Sequence, residues 1–226
     1  MKHGKNYRNA LKKYDVTALF PVTKAVDLVK ELKFAKFDET VEVHVNLKLN
    51  KNQSVRDTVV LPHQFKGEKR ILVFCKEDRV KEALDAGAAY AGAADYIEKV
   101  KGGWLDFDVA VATPDMMKDV GRLGMVLGRR GLMPNPKTGT VTADIAGAIN
   151  ELKQGRVEFR ADKTGVVHLA IGKVSMDTAK ITENITTLLA EVGRKKPADA
   201  KGDFIQSVSV SSTMGPGVWV DYKAGE

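Results

Sequence analysis

The sequence predicts an α/β protein of two domains: a discontinuous α+β outer domain and, inserted within it, a Rossmann-like three-layer α/β domain. Three observations predict this. Near both ends of the chain apolar and polar residues alternate with period two, as half-buried strands require. The middle third instead alternates short continuous apolar runs with helical patterns closed by glycine, which fits buried parallel strands and crossover helices. Finally, 226 residues, 43% of them hydrophobic, can fill one large or two small cores. The expected boundaries are 1–66 with 156–226 for the outer domain and 67–155 for the insert.

The elements follow in order. After a basic start, Met1-Lys2-His3-Gly4-Lys5, Thr23 is placed to cap a helix through Leu32, with Val26, Val29 and Leu32 as its apolar stripe. From Thr40 the period changes to two: Val41, Val43, Val45 and Leu47 share one face, and Glu42, His44, Asn46 and Lys48 the other. A turn over Asn50–Ser54 leads to a second strand, Val55 to Leu61, stopped by Pro62, and the two strands are expected to pair antiparallel. From Arg70 come a buried strand (71–74), helices over 77–86 and 94–100, a second buried strand (109–112) and a helix begun by Pro114 in a first-turn position. Asp144 caps a helix to Lys153 that ends at Gly155. Strands over 156–161 and 166–170, a helix from Asp177 to Val192, and strands over 204–211 and 218–222 complete the outer domain.

Gly121 to Gly139 is expected to be a shaped loop. Glycines 121, 124, 128, 131 and 139 permit positive φ or close backbone approach, while Pro134 and Pro136 fix φ. With Arg129, Arg130 and Lys137 in that frame, it reads either as an anion site or as a structural joint between domains. Gly128-Arg-Arg-Gly also matches the GxxG pattern of KH domains, but Pro134 and Pro136 argue against the helix that a KH loop must enter.

Composition narrows the function. No run of 18 apolar residues can span a bilayer, and no apolar segment follows the basic start, so neither a membrane protein nor a secretory signal is expected. The single cysteine, Cys75, follows an apolar run and reads as a buried strand residue, which excludes an internal disulfide. Four scattered histidines without ligand spacing give no support to a metal site. The net charge of +7 points to a polyanionic partner. The insert holds 13 basic and 13 acidic residues, so the outer domain, with 23 against 16, carries the whole excess.

No nucleophile elbow, phosphate loop or paired-histidine helix is present, so no catalytic residues are assigned. An enzyme holding a nucleotide in the insert would need a phosphate loop after Phe74, where the chain offers Lys76-Glu77-Asp78, a poor cradle for anions. A protein-interaction module is the third option, separable by nucleic-acid binding. Lys36-Phe37-Asp38-Glu39-Thr40 offers a cation, an aromatic face and a hydroxyl within five residues, a mixture suited to RNA. Taken alone, Phe37 reads as a core anchor, and both Ser211–Gly217 and Asp162-Lys163-Thr164-Gly165 read first as turns.

Taken together, Lys36-Phe-Asp-Glu-Thr-Val-Glu-Val43, Asp162-Lys-Thr-Gly165 with His168, Ser212-Thr-Met-Gly-Pro216 and Gly128-Arg-Arg-Gly-Leu-Met-Pro-Asn-Pro-Lys137 closely resemble the bacterial family of large-subunit ribosomal protein one. The resemblance runs in order over essentially the whole chain. It implies a two-domain, non-enzymatic protein without a cofactor, whose outer domain grips a helical junction of large-subunit ribosomal RNA and whose insert completes the mobile stalk. By the same resemblance the RNA surface uses Lys36, Phe37, Thr40 and Glu42, the turn at Asp162, Lys163 and Thr164, then His168, and Ser211, Thr213, Met214 and Gly215. Arg129, Arg130 and Lys137 are secondary candidates, and charge and resemblance together favour the joint for the glycine-proline run. The further implied partners are transfer RNA leaving the exit site and the messenger of the protein's own operon, whose translation it would repress. A monomer when free, cytoplasmic and ribosome-associated, is expected, with no membrane partner. The chain departs from the family pattern at Arg129, where a proline is usual, at Asp57, where a glycine is usual, and in a shorter, less acidic Asn50–Ser54 turn.

Overall fold

The computed structural model describes residues 3–50, 53–65, 67, 69–197 and 202–223. Met1 and Lys2 of the basic start, Lys51 and Asn52 of the expected turn, and Lys66 at the expected boundary lie outside them. The chain begins with α1 (Lys5–Leu11), β1 (Phe20–Pro21), α2 (Val22–Glu31), β2 (Thr40–Leu47) and β3 (Arg56–Val60). It continues through β4 (Ile71–Phe74), α3 (Val80–Asp85), β5 (Tyr90–Gly92), α4 (Ala94–Lys101), β6 (Val109–Ala112), α5 (Met117–Val120), α6 (Gly124–Arg130) and α7 (Ile145–Lys153). It closes with β7 (Arg156–Arg160), β8 (Val166–Lys173), α8 (Thr178–Arg194), β9 (Ile205–Ser212) and β10 (Val218–Asp221). Contacts divide it into two units, 1–65 with 158–226, and 66–157.

The first unit is built on a five-stranded sheet of order β1-β10-β9-β2-β8. β2 is its centre, antiparallel to β8 on one side and to β9 on the other. Val41, Val43, Val45 and Leu47 of β2 are buried on one face with Val208 and Val210 of β9, Val167, Leu169 and Ile171 of β8, and Val218 and Val220 of β10. That face is covered by α2 and α8, which pack on each other and present Ala25, Val26 and Val29, and Ile181, Ile185, Leu188 and Val192. The amphipathic periods of two and of about 3.6 thus meet in one core. Asn184 of α8, fully buried, is satisfied by the backbone N–H and C=O of His63 and by the C=O of Ile171, at 2.8–3.0 Å. A buried amide with every partner in place fixes how the 61–63 segment lies on α8.

The expected pairing of the 40–47 and 55–61 strands is corrected. β3 pairs with β7 in a separate two-stranded sheet. Both edges of β2 are taken by long strands, β8 and β9, each matching its buried alternation over almost its full length. The unusual Asp57 lies on β3, where its carboxylate pairs with Lys195. A second correction concerns α2: it starts at Val22, directly after Pro21, and Thr23 makes no capping hydrogen bond. Pro21 is still in register with Asp221 of β10, so the strand end itself sets the helix start.

In the second unit β5-β4-β6 form a parallel sheet of three strands. One face packs Ile71, Val73 and Val111 against Ala83, Ile145, Ala148, Ile149 and Leu152 from α3 and α7. The other packs Leu72, Phe74, Ala110 and Ala112 against Val100, Val120, Leu123 and Leu127. Helices on both faces make this the expected three-layer arrangement. Asp144 caps α7 by accepting from the Gly147 N–H at 2.9 Å, as its position predicts. Cys75 is buried directly after β4, and burial pushes its thiol pKa up.

The expected loop over 121–139 is largely helical. A 3₁₀ turn covers 121–123 and α6 follows, while only Gly131 (φ 70°) and Gly139 (φ 67°) occupy the left-handed region. Burial of Val120, Leu123 and Leu127 at helical spacing outweighs the poor helix propensity of Gly124 and Gly128, whose cost is about 1 kcal/mol each. Gly131 then terminates α6 as a left-handed cap. The Arg156 guanidinium lies where a Gly139 side chain would be, 2.7 Å from an added Cβ.

Candidate nucleic-acid interface

The face of the five-stranded sheet opposite α2 and α8 carries the side chains of Thr40, Glu42, His44 and Asn46 from β2, all half-buried. Register places Ser211, Ser209 and Ser207 of β9 beside Glu42, His44 and Asn46, and His168 of β8 beside His44 on the other side. One row therefore reads Trp219, Ser209, His44, His168 across four strands. It is a polar surface with one aromatic, Trp219, 40% exposed.

At the Thr40 end two loops meet. The residue that joins them is Glu39, which is fully buried. Its carboxylate accepts from the Ala35 N–H at 3.0 Å and from the Met214 N–H at 3.1 Å. Burial works to raise its pKa, but hydrogen bonds from Ser212, Met214, Ala35 and Phe34 outweigh it and the net direction is down. Thr213 continues the clasp: its hydroxyl accepts from the Thr40 N–H at 2.9 Å and faces the Thr40 carbonyl at 3.3 Å. Gly215 completes the turn, its N–H donating to the Ser212 hydroxyl at 3.2 Å, where a Cβ would clash at 2.4 Å. Lys173 Nζ donates to the Thr40 hydroxyl at 2.9 Å, which brings a cation to the same corner. On this pinned frame Phe37 (53% exposed) and Met214 (50% exposed) are held in water, with Lys36 exposed beside Phe37. Two large apolar side chains are thus kept out of the core next to a buried carboxylate.

At the opposite end of β2, about 24 Å away at ~3.4 Å rise per residue, lies the turn between β7 and β8. Asp162 organises it, accepting from the N–H groups of Thr164 and Val166 at 2.8 Å and from the Thr164 hydroxyl at 2.7 Å. These bonds, the Thr164 hydroxyl first, lower its pKa to about 2. Gly165 (φ 89°) lets the turn close on Leu47, where a Cβ would sit 2.8 Å from the Leu47 carbonyl. Lys163 is left exposed at the tip.

Between the two ends His44 Nδ1 lies 2.8 Å from His168 Nδ1, and His44 Nε2 lies 3.1 Å from the Ser211 hydroxyl. His168 Nε2 is 3.8 Å from Asp162. Desolvation lowers the His44 pKa first and the neighbouring His168 second, against a raising effect of Glu42. The fold thus brings Lys36, Phe37, Thr40, Glu42, His168, Ser211, Thr213, Met214 and Gly215, with the Asp162–Thr164 turn, onto one face or its ends. The hydroxyls of Thr213 and Thr164 and the Asp162 carboxylate are engaged within the protein, so these residues position their neighbours. Arg129, Arg130 and Lys137 belong to the other unit and are exposed at the end of α6 and in the turn after it. Sequence reading did not assign Glu39, His44, Lys173 or Trp219. The alternation already put His44 beside Glu42; the other three needed the register of strands far apart in sequence.

Among the described residues no cluster of three or more histidine, cysteine or carboxylate groups could hold a metal, and no helix is long and apolar enough to cross a membrane. Comparison with known proteins identifies the lineage. The sequence model of the Ribosomal protein L1p/L10e family matches residues 29–216. The chain is 80% identical over 226 residues to the large ribosomal subunit protein uL1 of Treponema denticola, covering all of both chains. It is 68% identical, again over the whole of both chains, to that of Treponema pallidum strain Nichols. To that of Borrelia hermsii it is 58% identical over 98% of this chain and 99% of the other. Both the family match and these full-length likenesses establish that the chain belongs to the Ribosomal protein L1p/L10e family.

Proposed function

We propose that this protein, a structural and non-enzymatic component of the large ribosomal subunit, binds large-subunit ribosomal RNA with the open face of its five-stranded sheet. The observation that carries the reading is the Glu39 clasp, which holds Phe37 and Met214 exposed beside Lys36 at one end of a hydroxyl-rich face. Stacking on an exposed aromatic, backbone contacts from cations and hydrogen bonds to 2′-hydroxyls are what RNA recognition requires. Glu42, on the open side of β2, suits a 2′-hydroxyl or a guanine amino group as donor, and it disfavours bare phosphate.

The finer roles rest on the family likeness and on the same surface. With RNA held by this face, the second unit would complete the mobile stalk, and the protein would assist release of deacylated transfer RNA at the exit site. A messenger that presents the same RNA fold would occupy the same face, so repression of its own operon follows from competition. The free protein would be monomeric and, when bound, ribosome-associated.

Two full-chain variants test this: Lys36→Ala with Phe37→Ala, and Arg129→Ala with Arg130→Ala and Lys137→Ala. Titrated against the cognate ribosomal RNA fragment, the first should lose at least about tenfold in affinity, the scale of one lost stack. The second should stay within about threefold. A reversed order would move the RNA site to the other unit. Adding the operon messenger as competitor should displace the ribosomal fragment; simultaneous binding would remove the repression mechanism.

A further inference from the structure

On the open sheet face, His44, His168 and Ser211 form a chain whose geometry allows only certain proton placements. The 2.8 Å contact between the two Nδ1 atoms needs one donor and one acceptor, so the pair can hold one extra proton and keep its hydrogen bond, but not two. The charged groups facing the pair are Glu42 on the same strand as His44 and Asp162 in the turn between β7 and β8; β9 presents the uncharged Ser209 and Ser211. The helices α2 and α8 lie on the other face of the sheet.

Asp162 selects the neutral arrangement. A carboxylate 3.8 Å from His168 Nε2 favours a hydrogen on that nitrogen. His168 Nδ1 is then an acceptor, His44 Nδ1 carries the hydrogen between the rings, and His44 Nε2 is left as an acceptor. The Ser211 hydroxyl, 3.1 Å away, must donate to it. Its hydrogen is therefore turned inward, and it can only accept from a ligand.

One added proton reverses this. Whichever ring takes it, His44 Nε2 becomes an N–H and donates to Ser211. If His168 holds the charge, its Nδ1–H donates to His44 Nδ1; if His44 holds it, both of its nitrogens donate. In either case the Ser211 hydrogen turns outward, towards whatever lies on the sheet.

We propose that His44 is a positioning residue for RNA binding, acting through Ser211, and that uptake of one proton by the His44–His168 pair converts Ser211 from acceptor to donor toward an RNA oxygen. This rests on the reading of the open face as the RNA surface. RNA, a polyanion, favours the protonated pair, so affinity rises as pH falls and levels off once the pair is protonated in the free protein. The sign is that of a group whose pKa is raised on binding.

Two measurements on the full chain test it. Nitrogen NMR of the free protein at pH 8 should show His44 as the Nδ1–H tautomer and His168 as Nε2–H. Finding His44 as Nε2–H would overturn the proposal without touching the RNA reading. In titrations of the ribosomal RNA fragment at fixed salt, affinity should rise at least about threefold between pH 7.5 and 6.0, against a one-proton ceiling of about tenfold per pH unit. His44→Gln places an amide N–H at the Nε2 position that donates to Ser211 at every pH, so its affinity should be flat over that range. Ser211→Ala should also flatten the response, at lower affinity. A parent affinity constant with pH, or a His44→Gln slope equal to the parent's, would overturn the proposal. Absence of binding at every pH, with the tautomers as assigned, would instead sink the RNA reading itself and this inference with it.

Discussion

The two units solve opposite problems with similar strands. In the 66–157 unit every residue of β4 is buried, because helices cover both sides of its parallel sheet. In the other unit β2 alternates half-buried and buried residues without exception, because α2 and α8 cover one side only. A sheet covered on both faces can offer a partner only its loops. A sheet covered on one face offers a whole array of side chains at fixed spacing, and here that array is mostly polar: hydroxyls, imidazoles, the Asn46 amide and the Glu42 carboxylate, with Trp219, Ala170 and Val166 among them. Most of the excess positive charge lies in the unit that builds this open sheet, where 1–65 and 158–226 hold 21 basic against 16 acidic residues. On the proposed reading, recognition and scaffolding are separated by architecture, and substitutions in the two units should fail in different ways.

The largest expected effect is on the closed side. Phe74, fully buried in the 66–157 unit, should cost about 3–5 kcal/mol of stability when changed to alanine. Urea unfolding measures this, and RNA affinity of the folded variant should stay within about twofold. A large affinity loss would break the separation. Next comes Glu39→Ala on the open side, which orphans the Ala35 and Met214 N–H groups. Both groups are part-buried, so at the lower end of the ~1–3 kcal/mol for an unsatisfied buried group, stability should fall by about 2 kcal/mol. Because the clasp also holds Phe37 and Met214, RNA affinity should fall with it in the variant that remains folded, as Phe74→Ala affinity does not. Phe37→Leu is smaller and sharper. It keeps an apolar side chain at an exposed position but removes the aromatic face, so stability should hold while RNA affinity drops by about 1 kcal/mol, and Phe37→Trp should recover it.

The same contrast explains what could be read from the chain alone. The insert announces itself locally: continuous apolar strands, Asp144 before a helix, and glycines that close turns. The run from Gly121 to Gly139 misleads because glycine weighs heavily by propensity, whereas three buried residues, Val120, Leu123 and Leu127, decide the matter by packing. For the open sheet, alternation identifies the faces of each strand but not their neighbours. β2 was free, as a local pattern, to pair with β3; only the competition of β8 and β9, more than 100 residues further along, excludes it. The His44–His168 contact, 124 residues apart, depends on that register, and so does the place of Trp219 in the same row. The exposed end of the site was more legible, since Lys36, Phe37 and the 212–216 turn are short words whose residue types already suit RNA.

The smallest effect probes the far end of the open face. Asp162 is occupied with its own turn, so the turn offers a partner the exposed Lys163 at its tip. If Lys163 meets a phosphate, Lys163→Ala weakens binding at low salt and little at high salt. The plot of log affinity against log salt should then lose about 0.7–0.9 of its slope, the release of one counterion. Phe37→Leu should leave that slope unchanged while lowering affinity at every salt, because stacking releases no ions. A Lys163→Ala slope equal to the parent's would confine the RNA footprint to the Phe37 end, about 24 Å away along β2 at ~3.4 Å per residue. The open face would then be read by its loops alone, and the distinction between the two sheets would shrink to which loops each one presents.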